Sequence, residues 1–471
     1  MTSTLFDKIW QDHLVCQLEG GESLLYIDRV FLHERTGSIA MQSLVDQGRA
    51  MKNPEHVFCT IDHIVDTTPG RTDMTLLPSG HEFIRSTRDL AQKFGIQFFD
   101  IDDPRQGIVH VVSPEQGIAL PGCIIVCPDS HTCTLGGLGA LGWGIGSTDA
   151  EHAVATSTLK SRKPKNMRIT FEGVTAPGVT AKDMILHLIG KYQASGGQGY
   201  AVEFAGEAVT NLSIESRLTL CNMAVEFSAF SAVIAPDDKT IEYVESRPYA
   251  PKGKHWDQAV SHWQQLKSEP DANFDAELVI DASQIEPCVT WGTSPEHVIG
   301  INDVIPDPLQ ENNPEKREAM LRALEYMDLK PGEQANQIPI DAAFIGSCTN
   351  SRLSNLQAAA NELKGKRVAE HVKAICVPGS TQVKAAAEKE GLDKIFIDAG
   401  FEWREAGCSM CFYAGGESFG EKQRIITSTN RNFEGRQGPG NRSHLASAVM
   451  VASSAVAGHI TAPKHLGGLS E

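Results

Sequence analysis

Three observations predict an α/β fold with mostly parallel sheets. Short apolar runs alternate with helical patterns, most plainly in the last third: Ala342–Ile345, Leu353–Leu363, Val372–Val377, Thr381–Glu390 and Ile395–Ile397. Several runs end in Gly-rich or charged loops, and strand-end loops are where open α/β sheets place their ligands. The chain is also 471 residues long, more than one core holds, so it is expected to divide into several domains.

Taken in order, Leu5–Leu18 has helical spacing, Leu24–Ile27 reads as a strand, and a second helix is expected near Ala40–Gly48. Val57–Ile61 is an apolar strand that delivers Asp62-His63 at its end. Phe83, Ile84, Leu90 and Phe94 are spaced for a helix over Glu82–Phe94, followed by a strand at Gln97–Phe99. The strand-like run Gly107-Ile108-Val109 then ends in His110, and the strand Cys123–Cys127 is followed by Asp129 and His131. Acids and histidines at three successive strand ends would share one edge of a sheet, whereas a lone buried histidine is more often structural.

Gly137-Leu138-Gly139-Ala140-Leu141-Gly142 matches the dinucleotide fingerprint by letter but not by context. A long loop precedes it and no acid follows at about twenty residues, so it reads as a packed loop before a helix over Asp149–Ser161, capped by Ser147 or Thr148. Beyond Asn166 come a strand (Met167–Phe171), a helix (Ala181–Tyr192) and a strand (Ala201–Phe204). A helix over Leu218–Glu226 would set Asn222 and Glu226 on one face. Pro248–Asn273 reads as peripheral, Pro287–Asn313 as an extended connection, and Leu445–Gly458 as a buried closing helix. No internal repeat is evident in the sequence.

Composition narrows the function. A net charge of −17 and a pI near 5.4 argue against nucleic-acid binding, which needs a basic face. An acidic small molecule is not excluded, because a local Arg cluster overrides the mean field. The first residues lack an apolar secretion core, and no apolar run reaches the ~18 residues of a membrane span. Eleven cysteines without a secretion signal are expected to be reduced thiols in a cytoplasmic setting.

Chemistry concentrates in two loops, Gly346-Ser347-Cys348-Thr349-Asn350-Ser351-Arg352 and Gly407-Cys408-Ser409-Met410-Cys411. Ile338–Ile345 and Lys394–Phe401, the runs before them, both read as strands ending in Gly. Three thiolates fall one short of a closed zinc or iron–sulfur site, which leaves a position open for catalysis. A redox dithiol and half of a zinc site are the rival readings of Cys-x-x-Cys.

Gly346–Ser351, the later Cys-x-x-Cys and Asn430-Arg431-Asn432-Phe433-x-Gly435-Arg436 together resemble the aconitase superfamily, almost end to end. The resemblance implies three domains, 1–166, 167–283 and 284–471, around a central cluster cleft, with no swivelling fourth domain in this chain. Cys348, Cys408 and Cys411 are then expected to bind a [4Fe–4S] cluster with one iron lacking a protein ligand. Residues matching Asp62 and His63 protonate a leaving hydroxyl, and those matching His110, Asp129, His131 and Glu226 support that acid. Asn222, Asn430, Arg431 and Arg436 are expected at the carboxylates of a small hydroxy-diacid.

The serine base of the family lies in a Gly-Ser-Ser-Arg-type loop of the fourth domain, and no Gly-Ser-Ser occurs in this sequence. A separate small subunit carrying that domain is therefore the expected partner, making a heterodimeric hydro-lyase. The nearest likeness is to enzymes isomerising 2- and 3-isopropylmalate in leucine biosynthesis, with another alkyl malate such as citramalate as the alternative substrate. An iron-sensing RNA-binding protein and a zinc-stabilised scaffold are the alternatives of other classes.

Overall fold

A computed structural model describes residues 3–463. The outermost residues of the first and third expected domains therefore lie outside the described residues. The chain forms two compact units. Unit 1 takes the chain up to Val65, Pro78–Val174 and Ser195–Ala282; unit 2 takes Asp66–Leu77, Thr175–Ala194 and the chain from Ser283 onward.

Unit 1 is built on a five-stranded sheet of β1 (Arg29–His33), β2 (Val57–Thr60), β3 (Gln97–Phe99), β4 (Ile124–Cys127) and β5 (Leu141–Gly144). Its order is β3-β2-β1-β4-β5 and every pairing is parallel. β2 and β4 are buried along their whole length, which is why they read as continuous apolar runs rather than alternating ones. Phe31, Phe58 and Phe99 pack on one face with Val112 and Ile118, while Val30, Leu32, Val57 and Cys59 join the larger core. A second all-parallel sheet of unit 1 holds β6 (Lys165–Glu172), β7 (Tyr200–Ala205), β8 (Ser231–Val233) and β9 (Ala276–Asp281), ordered β8-β7-β6-β9.

Unit 2 carries β10 (Ala342–Ile345), β11 (Lys373–Cys376), β12 (Phe401–Trp403), β13 (Arg424–Thr427) and β14 (Arg442–Leu445). They form a parallel sheet ordered β12-β11-β10-β13-β14. The α/β expectation holds. Among the described residues, antiparallel pairing occurs in small sheets, such as Leu14–Gln17 with Glu22–Tyr26 and Thr158–Arg162, and in isolated bridges.

Several expected elements differ. The first helix stops at Asp12, and the chain turns into a strand at Leu14. β1, the central strand of unit 1, was not anticipated; α1 (Glu34–Asp46) follows it at once, earlier than the helix expected from Ala40. The run at Gly107–His110 is not a strand end: α2 (Val109–Glu115) begins there, because an Asp62 oxygen accepts the Val109 N–H at 3.1 Å, a donor that a helix start leaves unpaired. This tertiary contact overrides the β preference of four branched residues.

Lys394–Phe401 is likewise mostly helix, over Leu392–Ala399, with Leu392, Phe396 and Ala399 buried at helical spacing and Gly400 closing it at φ 105°. The helix expected over Asp149–Ser161 spans Ser147–Thr156 and then gives way to a strand, and its N-cap is Gly146. The helix expected over Leu218–Glu226 ends as an α-helix at Asn222, and Glu226 sits on a 3-10 turn, Met223–Phe227. The glycine-rich run is closely packed as expected but is not a single loop: Gly137 and Leu138 end a 3-10 helix, Gly139 turns the chain at φ 77°, and Leu141 and Gly142 begin β5. A Cβ on Gly139 would come within 2.9 Å of Pro236, and one on Gly142 within 2.4 Å of the Thr132 carbonyl.

Candidate active site

In both five-stranded sheets the strand order reverses at the first strand, so the loops after the first and fourth strands flank a topological switch point. In unit 1 the segments after those strands begin at Glu34 and Pro128; in unit 2 they begin at Gly346 and Ser428. Every sequence-predicted site residue of unit 1 except Asn222 is joined in one hydrogen-bonded chain.

Asp62 holds the His63 ring through Oδ1, 2.5 Å from Nδ1, and uses its other oxygen on the Val109 N–H. The other ring nitrogen of His63 lies 3.3 Å from Asp129 Oδ2. Asp129 Oδ1 meets His110 Nε2 at 2.8 Å and accepts the His131 backbone N–H at 2.8 Å. His131 Nε2 reaches Glu226 Oε1 at 2.9 Å. Asn222 stands beside the chain and donates to the Thr134 hydroxyl at 2.8 Å, and that hydroxyl donates to the His131 carbonyl.

The electrostatics follow from this wiring. Burial pulls the His63 pKa down, but the Asp62 and Asp129 carboxylates outweigh it and raise it well above ordinary imidazole. Burial also opposes ionisation of Asp129, yet His110, then His131 and His63, bring it well below the usual carboxylate range. His33 stacks on His63 with centroids 4.3 Å apart, and burial together with the His63 charge lowers it to about 4. Of the two stacked rings, His63 holds the proton.

Unit 2 supplies the thiols. Gly346 is required after β10, because a Cβ there would come within 2.5 Å of the Phe344 ring. Ser347 then adopts φ 78° and Ser409 φ 48°, left-handed conformations that cost L residues free energy and tend to mark functional loops. Each adjoins a buried cysteine, Cys348 and Cys408 respectively. Ser428 ties the loops after β10 and β13 together, accepting the Gly346 N–H at 3.0 Å and donating to the Gly346 carbonyl at 3.1 Å.

Asn430 donates its amide N–H to Cys348 Sγ at 3.4 Å. The sulfurs of Cys408 and Cys411 lie within 4.8 Å of one another. Their turn is seated by Met410, fully buried with Phe344, Ile375 and Val377, and by Gln437, which donates to the Met410 carbonyl at 3.0 Å. The Arg436 guanidinium is buried between Phe412 and Phe433, 4.8 and 5.1 Å from their centroids. Arg431 is half-buried in the same loop. The eleven cysteines are all thiols.

Sequence reading missed three buried residues. His33-Glu34 ends β1 as Asp62-His63 follows β2, and the pattern of a strand-end histidine beside an acid was available to find it. Lys182, in α3 (Ala181–Tyr192), is fully buried and donates to the carbonyls of Ser428, at 2.6 Å, and Thr429. Burial lowers it to about 7 against the pull of Asp183 and Cys348. Its one signal was a lysine within the mostly apolar run Ala181–Ile189.

Unit 2 carries a buried thiol at its switch point and two more in a buried turn after its edge strand, and unit 1 carries an acid–base chain of carboxylates and imidazoles, donor types that suit an α/β enzyme using a metal–sulfur group and proton transfer. The chain belongs to the aconitase family: the model for the aconitase family (aconitate hydratase) matches residues 7–458. It is also similar to the 3-isopropylmalate dehydratase large subunit 1 of Bradyrhizobium diazoefficiens (strain JCM 10833 / BCRC 13528 / IAM 13628 / NBRC 14792 / USDA 110). The two are 52% identical over 457 residues, covering 97% of this chain and 95% of that protein. Membership of the family implies an iron–sulfur cluster. Among the described residues no helix is long and apolar enough to cross a membrane.

Proposed function

We propose that this chain is the large subunit of a hydro-lyase interconverting 2-isopropylmalate and 3-isopropylmalate by loss and re-addition of water, in leucine biosynthesis. The likeness to the Bradyrhizobium large subunit supports the substrate. The observation that carries the chemistry is the set of buried thiols in strand-end loops, one of them accepting the Asn430 N–H.

Cys348, Cys408 and Cys411 would hold a [4Fe–4S] cluster in which one iron has no protein ligand. The donor set fits: thiolates suit iron–sulfur clusters, and an amide N–H directed at a cysteine sulfur stabilises its negative charge. When bound, the cluster supplies a Lewis acid for a hydroxyl and a carboxylate of the substrate. His63, held protonated between Asp62 and Asp129, is the acid that protonates the departing hydroxyl. His110, His131 and Glu226 keep Asp129 ionised and the proton on His63. Asn222, Asn430, Arg431 and Arg436 bind substrate carboxylates, the guanidinium groups as forks.

The name "large subunit" carried by the relative supports a small-subunit partner. By family resemblance that partner brings the swivelling domain and the serine base. A division into three domains near 166 and 283 is supported by three parallel sheets, whose strands fall within 29–144, 165–281 and 342–445. A reducing, cytoplasmic setting suits eleven thiols.

Anaerobic purification tests the reading. A brown protein containing iron and sulfide, dehydrating isopropylmalate only when a small subunit is added, is the expected result. A colourless protein containing zinc, or full turnover by this chain alone, would overturn it.

A further inference from the structure

We infer that Glu34 is a positioning residue for His63: its buried carboxylate gathers the backbone N–H groups of three successive residues and fixes the turn from which the imidazole projects. The inference rests on the reading of His63 as the acid. Glu34 lies at the start of α1 and is 0% exposed. Its Oε2 accepts the Asp62 N–H at 3.1 Å, and its Oε1 accepts the His63 N–H at 2.7 Å and that of Ile64.

β2 ends at Thr60, so these three donors lie beyond the strand's own ladder pairing. A buried N–H left without an acceptor costs about 1–3 kcal/mol, which makes a single side chain serving three of them decisive for the turn. Only a carboxylate does this well. It offers acceptors on both oxygens, whereas a glutamine would turn an NH2 group toward N–H donors.

The four residues His33, Glu34, Asp62 and His63 bring their ligand atoms within 4.8 Å of one another, a spacing that a metal ion also requires. The hydrogen bonds argue for a different use. Both Glu34 oxygens are taken by backbone N–H groups, and both Asp62 oxygens by the His63 ring and Val109. A cation would have to displace donors from each carboxylate.

Charge acts in the same direction as geometry. The titratable groups facing Glu34 are Asp62, His63 and the buried Cys59 thiol, with His33 stacked on the far side of His63. Burial and the nearby Asp62 raise Glu34 to about 7, partly offset by His63 and the backbone N–H groups, so Glu34 is negative in the alkaline range, where its charge opposes loss of the proton from His63.

The test is a pH profile of kcat on the iron-loaded chain combined with a small subunit. Glu34→Gln is expected to keep native iron and sulfide content and KM while kcat falls about 10- to 100-fold, the cost of a misaimed group. The alkaline limb of the profile should move to lower pH, because His63 has lost a neighbouring negative charge. Glu34→Asp keeps the charge one methylene back, so its limb should stay at the native pH with a smaller loss of kcat.

Native kcat in Glu34→Gln, or a loss of kcat with the limb unmoved, would overturn the inference. Should Glu34→Gln fail to fold, Glu34→Asp decides: a lowered kcat at native iron content supports the role, and native kcat overturns it. His63→Ala is the control. Native turnover there would overturn His63 as the acid, and this inference with it.

Discussion

The five-stranded sheets of unit 1 and unit 2 share one strand order, with the first strand central and the second, third, fourth and fifth laid out around it in the same way. They use the shared geometry for opposite kinds of group. Around the switch point of unit 1 stand imidazoles and a carboxylate: His33 at the end of the first strand, Asp129 and His131 after the fourth. At the same point in unit 2 stand Cys348 after the first strand and Asn430 and Arg431 after the fourth. Topology fixes where a site forms, and loop residues decide what it does.

The loops differ for a local reason. In unit 1, α1 starts at the residue after β1, so no loop intervenes and the junction is made by the buried His33 and Glu34. In unit 2 seven residues, Gly346–Arg352, intervene before the helix Leu353–Leu363, and the left-handed Ser347 turns that loop at Cys348. The buried charges are matched to these needs. Glu34 collects N–H groups below a turn that carries an imidazole, and Lys182 collects carbonyls below a loop that carries Asn430. Neither charge sits in an ordinary ion pair with the other sign at contact distance; each is satisfied by backbone dipoles, which hold a loop's shape as well as offsetting desolvation.

Breaking unit 2 at its thiols should have the largest effect. Cys348→Ser, Cys408→Ser or Cys411→Ser should each abolish iron and sulfide retention, because a hydroxyl is a far poorer ligand for iron than a thiolate. Iron and sulfide assays on the three variants check this, and unchanged counts in all of them would remove the unit 2 half of the comparison. Breaking unit 1 at His63 should leave loading intact. His63→Ala is expected to retain native iron while kcat falls about 10²–10⁴-fold, the usual worth of a general acid. The two variants together separate holding the cluster from moving the proton.

Lys182→Met sharpens the contrast between the two buried charges. It leaves the Ser428 and Thr429 carbonyls without their donor, at about 1–3 kcal/mol for each group. A lower melting temperature and faster loss of iron in air are expected, since the same segment continues into Asn430, which contacts Cys348. A native melting temperature together with native iron retention would show that the loop holds its shape without the lysine.

Much of this was legible in the sequence, and the misses share a cause. Cys348, Cys408 and Cys411 stood out because their loops have a rare composition. Asp62-His63 and Asp129/His131 stood out because apolar strands lead straight into them. His110 was found but assigned to a strand end, since the Asp62 contact that starts α2 comes from a residue 47 positions away. Glu34 and Lys182 had only weak signals, because a charged residue in a sequence looks solvated until the backbone groups that bury it are known. The equivalence of the two sheets was hidden for a related reason: strand order is a property of pairing, and the loops that carry function share no residue pattern.

The smallest expected effect concerns stability against pH, where the two units contain histidines shifted in opposite directions. His63 in unit 1 has its pKa raised, so its contribution to stability is fully present below the ordinary imidazole value and is lost as pH rises through the folded one. His444 in unit 2 is lowered to about 3 by burial and by the neighbouring Arg424, whose Nη1 lies 3.1 Å from its Nε2. With Nδ1 2.7 Å from the Thr290 carbonyl, the ring is a neutral donor on one side and an acceptor from Arg424 on the other. The unfolded chain takes up a proton below about 6.5 that the folded site refuses until about 3, so stability falls as pH drops through that window. By pH 5 the cost is about 2 kcal/mol, from about 1.4 kcal/mol per unit of pH. Urea midpoints should therefore fall between pH 7 and pH 5, and His444→Gln, an amide able to accept from Arg424 and donate to Thr290, should flatten that slope while lowering the neutral-pH midpoint only modestly. An unchanged slope in His444→Gln would show that the acid sensitivity comes from elsewhere, with His33 of unit 1, lowered to about 4, the next residue to substitute.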